Sequence, residues 1–503
     1  MTRLSSIGAA SAALLAVLAG PAAAVTAPEV WEDFKANVLL ANPEAVTVGA
    51  EDYANGVLTV SDLAIDVAAE DGTTITSTLA AVTLTENADG TVTVTLSDEV
   101  PVTVDTPPLN GAPGSVVDIV VRQPGLQLVV DGAPGAFSYG LSAPRYEIAL
   151  VGLSEGGTPV DATGSLALND LAGTYDTTGA AGADRTVAYD LSTSSAEVVA
   201  SGTSPEDGSS FNVSAQMQAL ANQGSFALPA GVNLTAPDAL AAPGLALETA
   251  YTIGATTLTV DTTGPAGATN VQSTSGAGNL DFSLTGGVMA YDAASQGIAL
   301  DVTGAGLPFP VQASLASYGI NALVPLAQTQ GPTDWALGFD LRDLVLNEEV
   351  WALFDPQAQI PRDPVTAAID LAGTATLFSS LTDPAVQASG AAPGEINSVT
   401  LNDLTLAFGG ARVTGTGAFT LDNTDLTTFQ GIPRPEGSAE FRLDGVNGLI
   451  ERLVAVGLIP QEQVMGAQMF LGLLAVPVGD DQLESRIEVT ADGQLLANGQ
   501  RLQ

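Results

Sequence analysis

Two chemically versatile residue types are missing from this chain of 503 residues, which contains no cysteine and no histidine. Without cysteine there can be no disulfide bond, no thiolate nucleophile and no thiolate metal ligand. Without histidine the chain lacks the side chain that most often acts as a general base near neutral pH and most often binds zinc. We therefore predict that the protein is not an enzyme and has no catalytic residue, cofactor or metal site.

Carboxylates are the alternative source of chemistry. A pair of acidic side chains can hydrolyse glycosides without histidine, but among 56 acidic residues some pair will fit by chance. The segment Asp422-Asn423-Thr424-Asp425 offers oxygen ligands at alternating positions, as calcium sites do, yet it lacks the glycine and terminal glutamate of an EF-hand loop. We interpret this segment as an Asx-rich turn.

Basic residues are also scarce. Lysine and arginine together number 13 against 56 acidic residues, Lys35 is the only lysine, and the formal net charge is −43. Such a surface repels phosphate backbones, which argues against nucleic acid as a partner. It also repels anionic lipid headgroups unless divalent cations screen them. We interpret the charge as suited to solubility in a salty environment.

The first residues are typical of a secretory signal peptide. Arg3 precedes an apolar stretch over residues 7–18, and small residues at 21–24 form a cleavage site. The apolar stretch is shorter than the roughly 20 residues that cross a bilayer. We predict a signal peptide over residues 1–24, cleavage after Ala24, and a periplasmic protein without a transmembrane anchor. Location on the outer surface is the alternative.

Two regions have helical periodicity. Thr26 and Glu29 have capping-box spacing ahead of an amphipathic helix, which we expect to cover an exposed end of a sheet, with partner binding as the alternative. A helical hairpin is predicted over residues 446–477. Its second helix, the apolar run Val464 to Val476, is too short to span a bilayer. We expect it to be buried against the sheet, with membrane contact as the alternative.

The rest of the chain alternates with the period of a strand. Leu63, Ile65 and Val67 are separated by polar or small residues, and 54 glycines and 29 prolines supply turns. We predict a mainly β protein: a long curved antiparallel sheet that forms a groove, a sandwich or an open barrel. One β-rich domain spans residues 25–503, with a possible weak boundary within 176–280, where large apolar groups are few.

A short Asp-Leu theme recurs at irregular intervals. Its four aspartates are Asp62, Asp170, Asp343 and Asp403, each followed by leucine. We predict that these pairs mark strand edges or bends, with the aspartate bonding local backbone.

One segment concentrates aromatic, cationic and acidic side chains. Its candidate residues are Trp335, Trp351, Phe354, Asp355, Pro361, Arg362 and Asp363. In one interpretation Arg362 anchors an anionic group while Trp351 and Phe354 give apolar contact. In the other, Arg362 pairs with Asp355 or Asp363 to fix two Asp-Pro turns, and the aromatic rings lie in the core.

This segment resembles an alphaproteobacterial periplasmic family known as domain of unknown function 2125. The helix at residues 30–33, the hairpin residues 449–460 and the closing residues 492–500 also resemble that family, so the resemblance spans the mature chain. No established activity comes with it. The closing segment and the Asp-Leu strands are more distantly similar to YdgA and AsmA-type envelope proteins, which are linked to lipid handling.

Two functions are consistent with these features. In the first, the protein binds or passes lipid-like hydrophobic molecules in a groove of the sheet, as the one-sided apolar alternation and the apolar helix suggest. In the second, it is a structural or interaction scaffold of the periplasm or cell surface, its partners are envelope proteins, and its apolar interior is only a core.

Overall fold

The computed structural model of the protein describes residues 24–38, 46–69, 71–109, 112–179, 183–232, 239–390 and 392–502. The predicted signal peptide, apart from Ala24, lies outside these ranges. Within them the protein is mainly β, as predicted, and its strands form one large antiparallel sheet. The strands, in chain order, are β1 (Val46–Thr47), β2 (Ala50–Ala54), β3 (Val57–Ala68), β4 (Thr74–Glu86), β5 (Val92–Leu96), β6 (Glu99–Thr106), β7 (Ser115–Arg122), β8 (Gln127–Ala133), β9 (Ala136–Glu155), β10 (Thr158–Pro159), β11 (Asp161–Thr178), β12 (Arg185–Thr203), β13 (Ser210–Leu228), β14 (Ala246–Ile253), β15 (Thr256–Gly264), β16 (Gly267–Ser275), β17 (Gly278–Thr285), β18 (Val288–Gly304), β19 (Val311–Pro325), β20 (Thr333–Leu346), β21 (Val365–Leu377), β22 (Gly394–Phe408), β23 (Ala411–Asp422), β24 (Arg434–Asp444), β25 (Val476–Gly479), β26 (Gln482–Val489), β27 (Leu495–Ala497) and β28 (Gln500–Arg501).

Helices are few and short. They are α1 (Ala27–Val38), α2 (Glu348–Trp351), α3 (Pro384–Ser389), α4 (Val446–Ala455) and α5 (Gln461–Leu474), with one turn of 3₁₀ helix at Ala239–Ala241. The amphipathic helix α1 and the hairpin of α4 and α5 are the helices that the sequence predicts. In the part of the chain that the structure describes, no helix combines the length and the apolarity needed to cross a membrane.

The sheet follows chain order as one meander. Each long strand pairs with the next, and some strands are split, so that β4 pairs with both β5 and β6 while β9 pairs with both β7 and β8. The same arrangement recurs where β13 pairs with β14 and β15. At about 4.8 Å per strand, the sheet extends roughly 80 Å from β3 to β26. The strands of residues 176–280 take their places in this order without interruption.

The sheet is open. Among the described residues, the first strands, β1 and β2, pair only with β3, and beyond β26 lie only the short strands β25, β27 and β28. The chain exposes 28,129 Å², whereas a compact globular protein of 50.5 kDa would expose about 17,000 Å². A sheet with two accessible faces contributes to this excess.

A hydrophobic core cluster lies at the first end of the sheet, beneath α1. Val30 and Trp31 pack there against strand residues that include Leu84. The Trp31 indole donates a hydrogen bond to Glu51 at 2.7 Å, and the Thr26 amide donates to Glu29 at 3.0 Å, as the capping-box spacing predicts. Helix α1 therefore covers this end of the sheet.

A second tie fixes α1 to the sheet. The Tyr139 hydroxyl on β9 donates to the Asp33 carboxylate at 2.6 Å. Burial, together with that hydrogen bond to an anion, raises the pKa of Tyr139 well above its usual range. The hydroxyl therefore remains a donor, and the link between α1 and β9 persists, at any ordinary pH.

The helix α5 corrects a prediction. The sequence predicts that its apolar run is buried against the sheet, but only Val464 is buried within α5. Met465 and Phe470 keep 76% and 61% of their surface. The prediction is wrong because the helix is tied to the sheet at its end, where Ser485 and Asn498 donate hydrogen bonds to the Leu474 carbonyl.

The Asp-Leu pairs lie within strands. Asp62, Asp170 and Asp343 have φ angles of 54°, 52° and 56°, in the left-handed region that aspartate tolerates better than most residues. Asp403 lies at a register irregularity of β22. These positions are bends, as predicted, and not strand edges. The Asp170 carboxylate accepts from the Ser194 hydroxyl of the next strand, so it does not bond local backbone there.

Candidate hydrophobic binding face

Directly paired residues in an antiparallel sheet point to the same side, so the pairing register shows which side chains share a face. One row of paired residues crosses the sheet from β3 to β26, and apolar residues dominate it. This long row comprises Leu58, Leu84, Val94, Leu128, Leu141, Gly173, Leu191, Asn222, Tyr251, Leu280, Ala293, Ile320, Phe339, Ile369, Leu404, Gly415, Phe441 and Ser485. It contains no charged residue. We call the side of the sheet that carries it the apolar face.

The opposite side is polar and acidic. Its neighbouring row comprises Asp190, Gln223, Ala250, Asp281, Asp292, Asn321, Gly338, Asp370 and Asp403. Ion pairs also lie on this polar face, for example Arg342 with Asp340 at 2.6 Å and Arg442 with Glu484 at 3.5 Å. Charge and apolar surface are thus separated onto opposite sides of the sheet.

The mid-strand bends extend the apolar face along the strands. In β3, Leu58 and Val60 precede Asp62, and Leu63 follows it. All three apolar side chains are buried in one cluster. In a regular strand, residues 60 and 63 would point to opposite faces, because they are an odd number of positions apart. A left-handed residue therefore resets the alternation, as a β-bulge does. Ala219 and Gly297 have the same backbone conformation in β13 and β18.

Beyond these bends a second row continues the apolar face along the other half of the strands. This valine row comprises Val102, Ile119, Leu150, Gly164, Ala200, Val213, Val260, Val271, Val302 and Val311. Together the two rows give the face two dimensions, across the strands and along them.

The apolar face is covered at one end and uncovered in the middle. Beneath α1, Leu58 and Leu84 retain 4% and 1% of their surface. In the central strands, Leu337 and Leu406 retain 49% and 45%. Exposed apolar surface of this extent is rare on soluble proteins and marks sites of interaction.

An open depression of about 610 Å³ lies where β12, β13, β14, β17 and β18 adjoin. Its lining includes Tyr189, Phe282 and Tyr291, together with the acidic residues Asp190, Glu248, Asp281 and Asp292 of the polar face. Gly224 allows the Tyr189 ring to lie close to the strand, since a Cβ at this position would come within 2.5 Å of the Tyr189 hydroxyl. That hydroxyl donates to the Thr249 side chain at 2.9 Å. Because four of the lining residues are acidic, this depression is not part of the apolar face.

The structure brings four of the sequence-predicted candidate residues together. The Arg362 guanidinium lies 4.7 Å from the centre of the Trp351 ring and donates to the Asp355 carboxylate at 2.5 Å. The Phe354 ring packs against Trp351 at a tilt of 49°, with ring centres 5.0 Å apart. Arg362 also pairs in bidentate fashion with Glu348, which sequence reasoning missed.

The Asp355 carboxylate is fully buried and accepts hydrogen bonds from the Gln359 and Ile360 amides. Burial acts to raise the pKa of Asp355, but the hydrogen bonds from Arg362 and these amides outweigh it and hold the pKa below its ordinary value. The guanidinium donors of Arg362 are thus engaged within the protein, in a turn that packs against Trp351. This arrangement organises the turn ahead of β21.

The other three candidate residues lie apart from this cluster's charged centre. Trp335 is on β20, paired with Gly373, and its indole N–H is buried with no hydrogen-bond partner in the described part of the chain. Pro361 packs beside Gly410. Asp363 is exposed. Trp335 shares the strand parity of Leu337, so it belongs to the apolar face.

The Asp422–Asp425 segment forms side-chain-bonded turns. The Thr424 amide donates to Asp422, and the Thr427 and Thr428 amides donate to Asp425. Arg434 pairs with both carboxylates, at 2.8 Å and 3.2 Å. Hydrogen bonds from Thr428 and Thr427 lower the pKa of Asp425 to about 2.

Residues 249–499 match the model of a family described as "Uncharacterized protein conserved in bacteria (DUF2125)". The matched range begins within β14 and includes the Trp351 cluster and both helices of the C-terminal hairpin. It begins after the helix at residues 30–33 that was expected to share the resemblance. No curated protein and no solved structure matches the chain.

Proposed function

We propose that this chain, which belongs to the DUF2125 family of bacterial proteins, binds lipid-like hydrophobic molecules on its apolar face and lets them pass across the sheet, without a catalytic step. The observation that carries this proposal is the uncovered middle of that face, where Leu337, Ile369 and Leu406 remain exposed. Water in contact with such a surface is unfavourable, and an aliphatic ligand would replace it.

The size of the gain suits reversible binding. Burying one methylene group contributes about 0.8 kcal/mol. An acyl chain of about sixteen carbons that lies on an open face is covered on one side, so we expect roughly 6 kcal/mol of gross gain. Association costs at least about 4 kcal/mol. The small surplus favours a ligand that binds and leaves, which a transfer protein requires.

The long row offers a continuous route. Between Leu58 on β3 and Phe441 on β24 it contains no charged side chain, and its polar members are Asn222 and Tyr251. An acyl chain moving across the strands therefore never has to displace the hydration of a charged group, which would cost several kcal/mol. This continuity supports passage along the face as well as binding.

The charge of the protein indicates the ligand's headgroup. With a net charge of −43, the protein repels anionic headgroups, so neutral or zwitterionic lipids should be preferred. The predicted signal peptide supports export to the periplasm, where the envelope supplies such lipids. We propose the periplasm as the site of action.

Extraction of the protein purified from its own periplasm, followed by mass spectrometry of the extract, tests the function. We expect acyl lipids to co-purify with the wild-type chain and to be depleted in the double variant Leu337→Asp, Leu406→Asp, which places two charges on the apolar face. The control is Asp340→Asn on the polar face. A lipid-free wild-type protein that forms stable complexes with envelope proteins would favour the scaffold interpretation instead.

A further inference from the structure

The C-terminal end of the sheet carries a cluster of strongly exposed apolar side chains. The α5 patch consists of Met465, Met469, Phe470 and Leu473, whose exposed fractions range from 54% to 76%. No charged residue occurs between Val464 and Gly479, in a chain with 56 acidic residues. From Val464 onwards, helix α5 thus presents an uncharged apolar surface that neighbouring elements leave uncovered.

This patch adjoins the apolar face. β25 pairs with β26 through Pro477 and Leu483. Leu483 also pairs with Leu443 on β24, on the same side as Phe441 and the end of the long row. Ser485, the last residue of that row, donates a hydrogen bond at 2.7 Å to the Leu474 carbonyl at the end of α5. The end of α5 therefore lies beside the last strands of the apolar face.

The two ends of the face differ in access. At the first end α1 lies over the strands, and Val30 and Trp31 are buried with them. At the last end α5 leaves its own apolar side chains exposed. The α5 end therefore presents apolar surface to solvent, whereas the helix at the α1 end buries its apolar side chains in the core.

We propose that the α5 patch docks this end of the sheet onto a lipid membrane surface by inserting its apolar side chains among the acyl chains. The inference rests on the proposed function and deepens it, because it assigns the end at which lipids enter or leave the apolar face. Helix α5 is about 21 Å long, too short to cross a hydrocarbon core of about 30 Å. It suits a helix that lies in the interface.

The chemistry of the patch favours a membrane over a protein partner. Protein interfaces use polar and charged groups around an apolar centre to set orientation. The α5 patch has methionine, leucine and phenylalanine side chains and no charge. Because the rest of the protein is strongly acidic, the matching membrane surface is one of zwitterionic lipids.

Flotation with phosphatidylcholine vesicles tests this inference on the chain comprising residues 25–503. We expect the wild-type protein to float with the vesicles and the double variant Met469→Asp, Phe470→Asp to lose at least about tenfold in bound fraction, since each side chain loses its favourable transfer and gains a charge. The matched control is Leu353→Asp, which changes a 69% exposed leucine after α2. This control should float like the wild type.

A second readout separates this inference from the proposed function. Binding of a fluorescent fatty acid in vesicle-free solution should be unchanged in the Met469→Asp, Phe470→Asp variant. The Leu337→Asp, Leu406→Asp variant should instead lose fatty-acid binding and still float. If the wild-type protein floats with the vesicles but does not bind the fatty acid, the proposed function fails and the docking inference stands.

Three results would overturn the docking inference. The first is a wild-type protein that does not float, and the second is a Met469→Asp, Phe470→Asp variant that floats as well as the wild type. The third is a wild-type protein that dimerises and does not bind vesicles, together with a Met469→Asp, Phe470→Asp variant that is monomeric. The patch would then bind a second copy of the chain. Binding that requires anionic phosphatidylglycerol would also contradict the zwitterionic preference.

Discussion

The first strands of the sheet and its central strands carry the same pattern and have different fates. Leu58 and Leu84 under α1 are buried, while Leu337 and Ile369 are exposed, yet all four lie on the apolar face. Alternation decides which face a side chain joins. Whether another element covers that face decides between core and binding surface. In this protein one short helix covers a small part of a very long face.

The largest expected effect is a difference between these two regions in the stability lost when a leucine is truncated. Leu84→Ala should lower the free energy of unfolding of the first strands by about 2–5 kcal/mol, because it leaves a cavity in a closed core. Leu337→Ala removes a half-exposed side chain and should cost less than about 1 kcal/mol. Hydrogen exchange resolved by strand measures both. Equal losses at the two positions would show that the central face is covered.

The second-largest expected effect is on ligand binding, and here the direct effect comes from the central strands and not from the first strands. Leu337→Asp should weaken fatty-acid binding about tenfold while the fold persists, because the charge faces solvent on an uncovered surface. A charge at Leu84 would be buried without a partner and should unfold the first strands. Fluorescent fatty-acid titration and circular dichroism on both variants provide the check. The comparison breaks if Leu337→Asp binds like the wild type.

A smaller effect concerns the bends that keep the apolar face in phase along each strand. Asp170 has a φ angle of 52°, which alanine adopts less readily and glycine adopts without strain. We expect Asp170→Ala to lower stability by about 1 kcal/mol and Asp170→Gly to lie closer to the wild type. Urea unfolding of the pair measures the difference. A ranking with alanine above glycine would argue against a conformational role.

The smallest effect lies at the polar turn near Arg434. Hydrogen bonds lower the pKa of Asp425 to about 2, against an ordinary value of 3.8. A depressed carboxyl pKa stabilises the fold above the unfolded pKa, and that stabilisation disappears as pH falls from about 4 towards 2. Asp425→Asn should flatten this part of the pH profile of the melting temperature. The Asp363→Asn variant, at an exposed site, is the control, and identical profiles for both variants would contradict the assignment.

Much of the fold follows from the sequence. The period-two alternation of Leu63, Ile65 and Val67 predicts strands with one apolar side, and Thr26 with Glu29 predicts the start of α1, because these patterns depend on neighbouring residues alone. The bends at Asp62 and Asp170 were also predictable as interruptions. An additional signal was present in the odd step from Val60 to Leu63, which indicates a bulge that preserves the face.

The candidate site depended on information that local patterns lack. The long row joins residues as far apart as Leu58 and Phe441 through pairings between successive strands, and the register of each pairing is set by tertiary structure. The exposure of α5 was missed for a similar reason. An apolar helix is expected to be buried. The exposure of α5 depends on where the helix is bound to the sheet, for example by the hydrogen bond from Ser485 to the Leu474 carbonyl, and its own sequence does not contain that information.

Site-specific photocrosslinking tests most directly whether the apolar face holds lipid. Phe339 lies in the long row and its neighbour Asp340 points to the polar face, so the substitutions Phe339→p-benzoylphenylalanine and Asp340→p-benzoylphenylalanine place the same probe on the two sides of one strand. After irradiation in the periplasm, we expect lipid adducts by mass spectrometry at position 339 and none at position 340. Adducts at both positions, or at neither, would contradict a lipid-binding apolar face.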